Sequence, residues 1–350
     1  MYITGPPSTV DAVETAGRWG IGHADRRTFA GPAALAADPE HTERLRVYLA
    51  DLLRPYGMAV EPSTLDSGRG QYYGEMAAAV LPARPVDLVV LAFAVPDLAP
   101  GRATATWLSH ACPGDPLAFA VCDQGVAAGF TGLRLLRAYA RAGGCRRGLL
   151  VVAEQDHLHH ELPAPAAVPT VSAAVSLLCG DVTGPEVAGG GRTARVASVR
   201  VRADVPPEQA RAVLAVELAA VSAGHPELTV VLGAGLTGYE PVVPQGIQVR
   251  TAPDGQPYTG VWWELAGYLG EPAGPDRMVL ADYDPVLRYL CLCAVDLPAP
   301  LPAYHPERRG TGERDGRGEA GWRPDLPDQV PAGQRPVGLV DHHRTGTADR

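Results

Sequence analysis

The sequence predicts an α/β fold built from two similar halves, each rich in βαβ units. Three observations support this prediction: strand-like and helix-like segments alternate, several strands are uninterrupted apolar runs, and a glycine-rich turn at 188–192 separates two successions of elements. Uninterrupted apolar runs are typical of strands that are buried on both faces. We therefore expect a mostly buried sheet in each half, covered by helices.

The first half, residues 1–188, has the clearer pattern. Apolar residues at helical spacing predict helices over 42–55, 101–111 and 126–142, and apolar runs predict strands over 86–95, 117–122, 146–155 and 171–181. Gly143 and Gly144 follow the third helix, where glycine commonly ends a helix.

The second half, residues 189–298, opens with alternating apolar and polar residues. We expect a strand over 194–204, a helix over 206–223, a strand over 228–235, a helix over 259–270 and strands over 278–283 and 289–297. From 299 to 350 the chain is rich in Pro, Gly, Arg and acidic residues and poor in aliphatic ones, which predicts a disordered tail.

Composition excludes several functional classes. All 30 basic residues are arginine, so the chain can form neither a lysine Schiff base with pyridoxal phosphate nor a P-loop. A formal net charge of −9 is unlike the basic footprint of proteins that bind nucleic acid. The six cysteines lack a CxxC motif, which favours buried reduced thiols and no metal site. No apolar run reaches about 18 residues and no leader pattern occurs, which favours a cytoplasmic protein without a membrane partner.

The segment FAVCDQGVAAGF, residues 119–130, has the form of an elbow between a strand and a helix. Such elbows commonly hold a reactive side chain at the turn. This one offers Val126, Ala127 and Ala128, none of which can act as a nucleophile.

The residues around this elbow resemble the ketoacyl synthase III branch of the thiolase superfamily. The resemblance covers about 86–181, is weaker over 192–297 and is absent from the tail; it is carried by the segments VDLVVLAFAVPD, ATATWLSHA, PLAFAV, AAGFTGL, GLLVVAEQ and VSAAVSLLCGD. It implies a thiolase-like five-layer αβαβα fold with two pseudo-repeated halves. It also implies a dimer that acts on acyl groups carried by CoA or by the phosphopantetheine arm of a carrier protein, without another cofactor.

Four elements of the family pattern are replaced. The nucleophilic cysteine falls on Ala127, and the histidine motif corresponds to 232–235, where Gly233 has no side chain. The asparagine turn corresponds loosely to 255–258, with Gln256 and Tyr258, and the glycine-rich loop is replaced by 282–285. Condensation needs a thiolate and donors for the developing charge, so a condensing cycle is not expected. A backbone N–H at the elbow could still serve as an oxyanion donor.

Other polar residues offer alternative chemistry. Asp123 could act as a general base or could only satisfy N–H groups of the turn. The loop 154–163 is rich in titratable groups, which could be acid–base or substrate groups, a solvated surface or, against the usual zinc spacing, metal ligands. The candidates for catalysis are Asp123, His157 and His159. Those for substrate contact are Cys122, Gln124, Ala127, Glu154, His160, Gly233, Gln256 and Tyr258.

These observations leave two main functional hypotheses. In the first, the chain is a pseudoenzyme of specialised acyl-thioester metabolism that pairs with itself or with an intact ketosynthase. Arg134, Arg137 and Arg141 of the helix over 126–142 could then dock an acyl carrier protein, or could simply form a solvated helix face. In the second, it is an acyltransferase that uses a general base instead of a cysteine. A ligand-binding or structural homodimer is a third reading.

Overall fold

The computed structural model describes residues 18–60, 65, 68–99, 102–158, 167–184, 191–225, 228–239 and 247–297. His159, His160 and the expected tail over 299–350 lie outside the described residues.

Ten strands belong to the described chain. In the first half they are β1 (Trp19–Phe29), β2 (Leu88–Ala92), β3 (Leu117–Val121), β4 (Arg147–Glu154) and β5 (Ser172–Asp181). In the second half they are β6 (Ala194–Arg202), β7 (Leu228–Leu232), β8 (Ile247–Thr251), β9 (Arg277–Asp284) and β10 (Tyr289–Asp296).

The helices alternate with these strands. They are α1 (Pro39–Leu53), α2 (Tyr73–Ala78), α3 (Thr104–Ala111), α4 (Ala127–Arg141), α5 (Pro207–Ser222) and α6 (Gly260–Gly270). Within the described ranges, no helix is both long and apolar enough to cross a membrane.

The two halves repeat one topology. The strands form one mixed sheet in the order β3–β2–β4–β5–β1–β6–β10–β9–β7–β8. From the outer edge of the sheet to its centre, the strands of each half follow the same order: the third, second, fourth, fifth and first strand of that half. The second strand of each half is parallel to the third and fourth, and the fifth is antiparallel to the fourth and first. The predicted pseudo-repeat is therefore confirmed.

Three hydrophobic clusters define the layers. The central cluster joins α4 and α6 to both half-sheets, and the rings of Phe130 and Trp262 from these helices lie 4.8 Å apart between centroids. A second cluster packs α2 and α3 on the outer face of the first half-sheet. A third packs α5 on the outer face of the second. The order helix, sheet, helix, sheet, helix is the five-layer arrangement that was predicted.

Among the described residues, two backbone pairs between β1 and β6 join the two half-sheets. Gly20 pairs with Arg195 and Ile21 with Ala194, where β1 meets β6. Beyond these pairs β1 continues along β5 while β6 continues along β10. The strands approach so closely that a Cβ atom on Gly20 would lie 2.0 Å from the carbonyl oxygen of Ala194.

Substitution of Gly20 by alanine tests this junction. We expect Gly20→Ala to lower the free energy of unfolding by about 2 kcal/mol or more, because the added methyl group meets backbone that must shift. Urea unfolding followed by circular dichroism measures the change. The control is Gly31→Ala, where an added Cβ meets nothing within 4 Å; equal midpoints for the two variants would contradict the close approach.

Candidate functional site

The elbow between β3 and α4 turns through left-handed backbone. Asp123 has φ +59° and Gly125 has φ +52°, and α4 begins two residues later at Ala127. Asp123 is exposed, and its carboxylate accepts a hydrogen bond from the thiol of Cys122 at 3.2 Å. The side-chain oxygen of Gln124 accepts a bond from the hydroxyl of Thr131 at 2.7 Å. The polar side chains of the elbow are thus hydrogen-bonded to nearby residues of the elbow and of α4.

The vacant nucleophile position is closed. Ala127 is 1% exposed, and its N–H donates to the carbonyl of Gln124 at 3.0 Å. The next N–H, of Ala128, donates to the carbonyl of Gly125 at 3.2 Å. The N–H groups of Ala127 and Ala128 are therefore used within the first turn of α4 and do not point to an oxyanion in this conformation.

A buried carboxyl group lies at the start of the opposite helix. Glu154 ends β4, is 0% exposed, and accepts hydrogen bonds from the N–H groups of Tyr258 at 2.9 Å and Thr259 at 3.1 Å. The hydroxyl of Thr259 also donates to it. These donors directly precede α6, whose first N–H groups have no intrahelical acceptor and favour negative charge. Burial nevertheless dominates and raises the pKa of Glu154 from 4.5 to about 7.

A second carboxyl group fills the space of the missing histidine. Asp282 of β9 is 2% exposed and accepts from the N–H groups of Tyr283 at 2.8 Å and Gly235 at 3.3 Å. Burial, with a smaller contribution from the charges of Asp284 and Glu154, raises its pKa from 3.8 to about 8, although the two backbone hydrogen bonds act in the opposite direction. A Cβ atom on Gly233 would lie 2.1 Å from this carboxylate. No side chain, and so no imidazole, fits at position 233 in this arrangement.

A third carboxyl group lies against the elbow itself. Asp284 is 8% exposed, and its Oδ1 atom accepts from the N–H groups of Val286 at 3.0 Å and Leu287 at 2.9 Å. Its Oδ2 atom lies where a Cβ on Gly125 would be only 1.7 Å away. Gly125 is thus required both by its positive φ and by the approach of Asp284.

Glu154 and Asp284 are related by the internal repeat. Each ends the fourth strand of its own half, and each lies at the start of the helix that follows the third strand of the other half. The two halves therefore exchange carboxylates across the centre of the molecule.

Tyr258 lies among these groups. Burial raises the pKa of its phenol, and the charges of Asp284, Glu154 and Asp282 raise it further. Its hydroxyl donates to the carbonyl of Ala167 at 2.8 Å. Near it in sequence, Gln256 is 5% exposed and its side-chain oxygen is buried without a partner.

The structure brings together some of the predicted site residues and adds two. Glu154, Gly233 and Tyr258 meet around Asp282 and Asp284, which sequence reasoning noted only as a replaced loop. His157 is buried beside Gly70, whose Cβ position lies 3.5 Å from its ring. Among the residues with described positions, no group of three or more His, Cys, Asp or Glu could hold a metal ion.

The signal for Asp282 and Asp284 was indirect. Gly233 lies in the stretch that corresponds to the histidine motif, and Gly125 lies two residues before the vacant nucleophile position. Each is in fact matched by a carboxylate from β9. Only the register of β9 beside β7 brings Asp282 to Gly233, and that register is a tertiary property.

Comparison with known proteins identifies the fold. No family model and no curated protein matches the sequence. Among solved structures, ChlB3, described as an acyltransferase, is similar with a TM-score of 0.50 and 17% identity over 81% of this chain and 98% of that one. The tetronic acid condensing enzyme AbyA1 has a TM-score of 0.49 and 18% identity over 79% and 99% of the two chains. FabH, the 3-oxoacyl-(acyl carrier protein) synthase III of Pseudomonas aeruginosa, has a TM-score of 0.49 and 15% identity over 81% and 100%. The chain therefore has the thiolase-like α/β fold of ketosynthase III-type proteins.

Proposed function

We propose that this chain is a non-condensing, ketosynthase III-like protein that serves acyl-thioester metabolism as the partner subunit of an intact ketosynthase. One observation carries the proposal: Asp284 of β9 occupies the space beside Gly125, two residues before the vacant nucleophile position, and Asp282 of β9 occupies the space beside Gly233, where the family pattern has its histidine motif. Position 233 therefore has no room for a side chain in this arrangement, and Ala127, at the vacant nucleophile position, is 1% exposed.

The chemistry of condensation supports this assignment. A ketosynthase needs a thiolate to carry the acyl group and fixed donors to stabilise the charge that develops on oxygen. Ala127 carries no thiol, and its N–H is already bonded within the turn.

The hydrogen bonds of the carboxyl groups support a structural role. Both oxygens of Glu154 accept bonds from the residues that precede α6, and Oδ1 of Asp282 binds two backbone N–H groups. The bonds of Glu154 fix the start of α6 relative to the first half, and those of Asp282 fix β9 relative to Gly235 within the second half. The acyl-thioester context is supported by the resemblance over 86–181 and by the description of ChlB3 as an acyltransferase.

Acid–base acyl transfer is the second candidate. It is favoured by one observation, the near-neutral pKa values of Glu154 and Asp282 in one cluster, which is a common property of catalytic sites. In such a reaction protonated Asp282 would donate to the thioester oxygen, ionised Glu154 would take the proton of an attacking alcohol or amine, and the C–S bond would break to release the thiol. Exposures of 0% and 2% for the two groups rank this candidate below the first.

Incubation with acyl thioesters tests the absence of a covalent step. Intact-protein mass spectrometry after exposure to a panel of acyl-CoA species should show an unchanged mass, whereas an intact ketosynthase treated in parallel should gain the acyl mass. An adduct that disappears in Cys122→Ala would show that Cys122 is a nucleophile and would overturn the proposal.

Coupled assays test the partner role. Co-expression with the ketosynthase encoded nearest to it should give a co-purifying pair, and the chain should change the rate or the chain-length profile of that enzyme. If the isolated chain instead turns over acyl thioesters, and Asp282→Asn abolishes that turnover, the second candidate is correct.

The pH dependence of stability tests the buried carboxyl cluster. Asp282 has an ordinary pKa of 3.8 and a folded pKa of about 8, so between these values the folded state holds a proton that the unfolded state has released. The free energy of unfolding should therefore fall as pH rises through this window. Asp282→Asn keeps the acceptor oxygen and removes the titration, so between pH 5 and pH 8 its free energy of unfolding should fall by roughly 4 kcal/mol less than that of the wild type, at about 1.4 kcal/mol per pH unit.

Asp254→Asn is the matched control, since it removes one exposed carboxylate. It should leave the pH profile of urea unfolding unchanged. If the free energy of unfolding of the wild type instead rises between pH 5 and pH 8.5, Asp282 is ionised in the folded protein at neutral pH.

A further inference from the structure

Three arginines follow one side of α4. Arg134, Arg137 and Arg141 are three and four residues apart, so they lie on the same side of the helix and span about 10 Å along its axis. They line a groove of about 440 Å³ between α4 and β6, which we call the α4 groove. The other residues that line it are Ala138, Ala142 and Val199. None of these described lining residues is acidic, although the chain as a whole has a formal net charge of −9.

The arginines of the α4 groove have no acidic partner among the ion pairs of the described residues. The neighbouring strand β6 shows the opposite arrangement, since each of its exposed or half-buried arginines after Ala194 is paired with a carboxylate of α5 or β10. These arginines are Arg195, Arg200 and Arg202. The fold therefore neutralises the arginines of β6 and leaves those of α4 without a counter-charge.

Arg137 is the member of the groove that water satisfies least. Arg134 and Arg141 are exposed, whereas Arg137 is half-buried and its Nε atom is buried without a hydrogen-bond acceptor. Burial, and then the charge of Arg141, lower the pKa of Arg137. A cation that has lost water without gaining an acceptor is stabilised when an anion approaches it.

Two simpler explanations account for only part of this pattern. The C-terminal end of a helix favours a cation, but this effect is confined to the last turn and so concerns Arg141. A solvated helix face suits the exposed Arg134, but it does not suit a guanidinium group whose Nε atom is shielded from water, as in Arg137. The residue type itself carries no weight, because every basic residue of the chain is arginine.

The internal repeat provides a comparison within the molecule. α6 corresponds to α4 and β1 to β6, and on that side Arg26 of β1 lies against the helix. Its Nη1 atom donates to the carbonyl of Trp263 at 2.6 Å, and its guanidinium carbon lies 4.8 Å from the centre of the indole ring. Gly267 of α6 leaves room for this group. The equivalent space beside α6 thus holds a guanidinium group with an internal acceptor, which the described contacts of Arg137 do not provide.

We infer that the α4 groove is a binding site for a small anion with two or more linked phosphate groups. The planar fork of arginine contacts phosphate oxygens in pairs, and three such groups spread over about 10 Å suit a diphosphate better than a single phosphate. The recess between α4 and β6, with Arg137 half-buried in it, favours a small anion over an acidic polypeptide. Arg134 lies about 10 Å along α4 from the elbow, so this site is separate from the one already described and does not depend on the proposed function.

Calorimetric titration of the full chain with pyrophosphate tests the inference. At about 50 mM salt, where charges are only partly screened, pyrophosphate should bind once per chain and at least about tenfold more tightly than orthophosphate, because it can contact two guanidinium groups at once. R134Q/R137Q/R141Q should weaken pyrophosphate binding by at least about tenfold. Arg141→Gln changes only an exposed side chain; it should weaken binding by about threefold and replaces the triple variant if that variant does not fold.

The matched control is R44Q/R46Q/R54Q, which removes three arginines that form ion pairs with carboxylates of α1. It changes the net charge by the same amount and should keep the wild-type affinity. Pyrophosphate should also raise the Tm of the wild type and of this control, but not that of the groove variant.

Three results would overturn the inference. The first is equal affinity of the two triple variants for pyrophosphate, and the second is a wild type that binds pyrophosphate no better than orthophosphate. The third is binding of hexaglutamate without binding of pyrophosphate, which would assign the groove to an acidic polypeptide instead.

Discussion

The exchange of carboxylates between the two halves is the interaction on which the centre of this protein depends. Glu154 of the first half accepts hydrogen bonds from the N–H groups that precede α6 in the second half. Asp284 of the second half lies against Gly125, which precedes α4 in the first half. Each helix start thus lies beside an acceptor that its own half does not provide. Because the half-sheets meet through only two residue pairs, these reciprocal contacts and the packing of Phe130 on Trp262 fix how the halves fit together.

Burial of these acids has a large desolvation cost, which explains both the glycines and the pKa values. No arginine pairs with Glu154 or Asp282 in the described hydrogen bonds, so backbone N–H groups compensate for the lost water. The neutral forms are then favoured, and both pKa values rise toward neutrality. Near-neutral carboxyl groups are often evidence of catalysis. Here the hydrogen bonds from backbone N–H groups favour the structural explanation, since a catalytic group must be able to exchange its partners.

The sequence was sufficient to predict the fold but not the site. Apolar runs and helical spacing located β2 to β7, β9, β10 and most helices within a few residues, because buried strands and amphipathic helices have strong periodic signals. β1 escaped notice since its second half, around His23 to Thr28, is mainly polar and exposed. Asp282 and Asp284 were not predicted as site residues because their role depends on contacts with Gly233 and Gly125. These glycines are distant from them in sequence and become adjacent only when β9 aligns with its neighbours.

The buried carboxyl groups at the centre and the residues near the β3 edge differ in how far their polar and apolar groups are satisfied within the chain. The described hydrogen bonds of Glu154 and Asp282 are made to groups of this chain, whereas the side-chain oxygen of nearby Gln256 is buried without a partner. Two features near the first edge of the sheet are less well covered: Leu117 of β3 is 56% exposed, and the Nε atom of Arg137 on α4 is buried without an acceptor. Unsatisfied polar groups and exposed apolar surface both favour association. The exposed leucine therefore supports the proposal that this chain acts as a partner subunit, and the arginine supports the proposal that the α4 groove binds an anion.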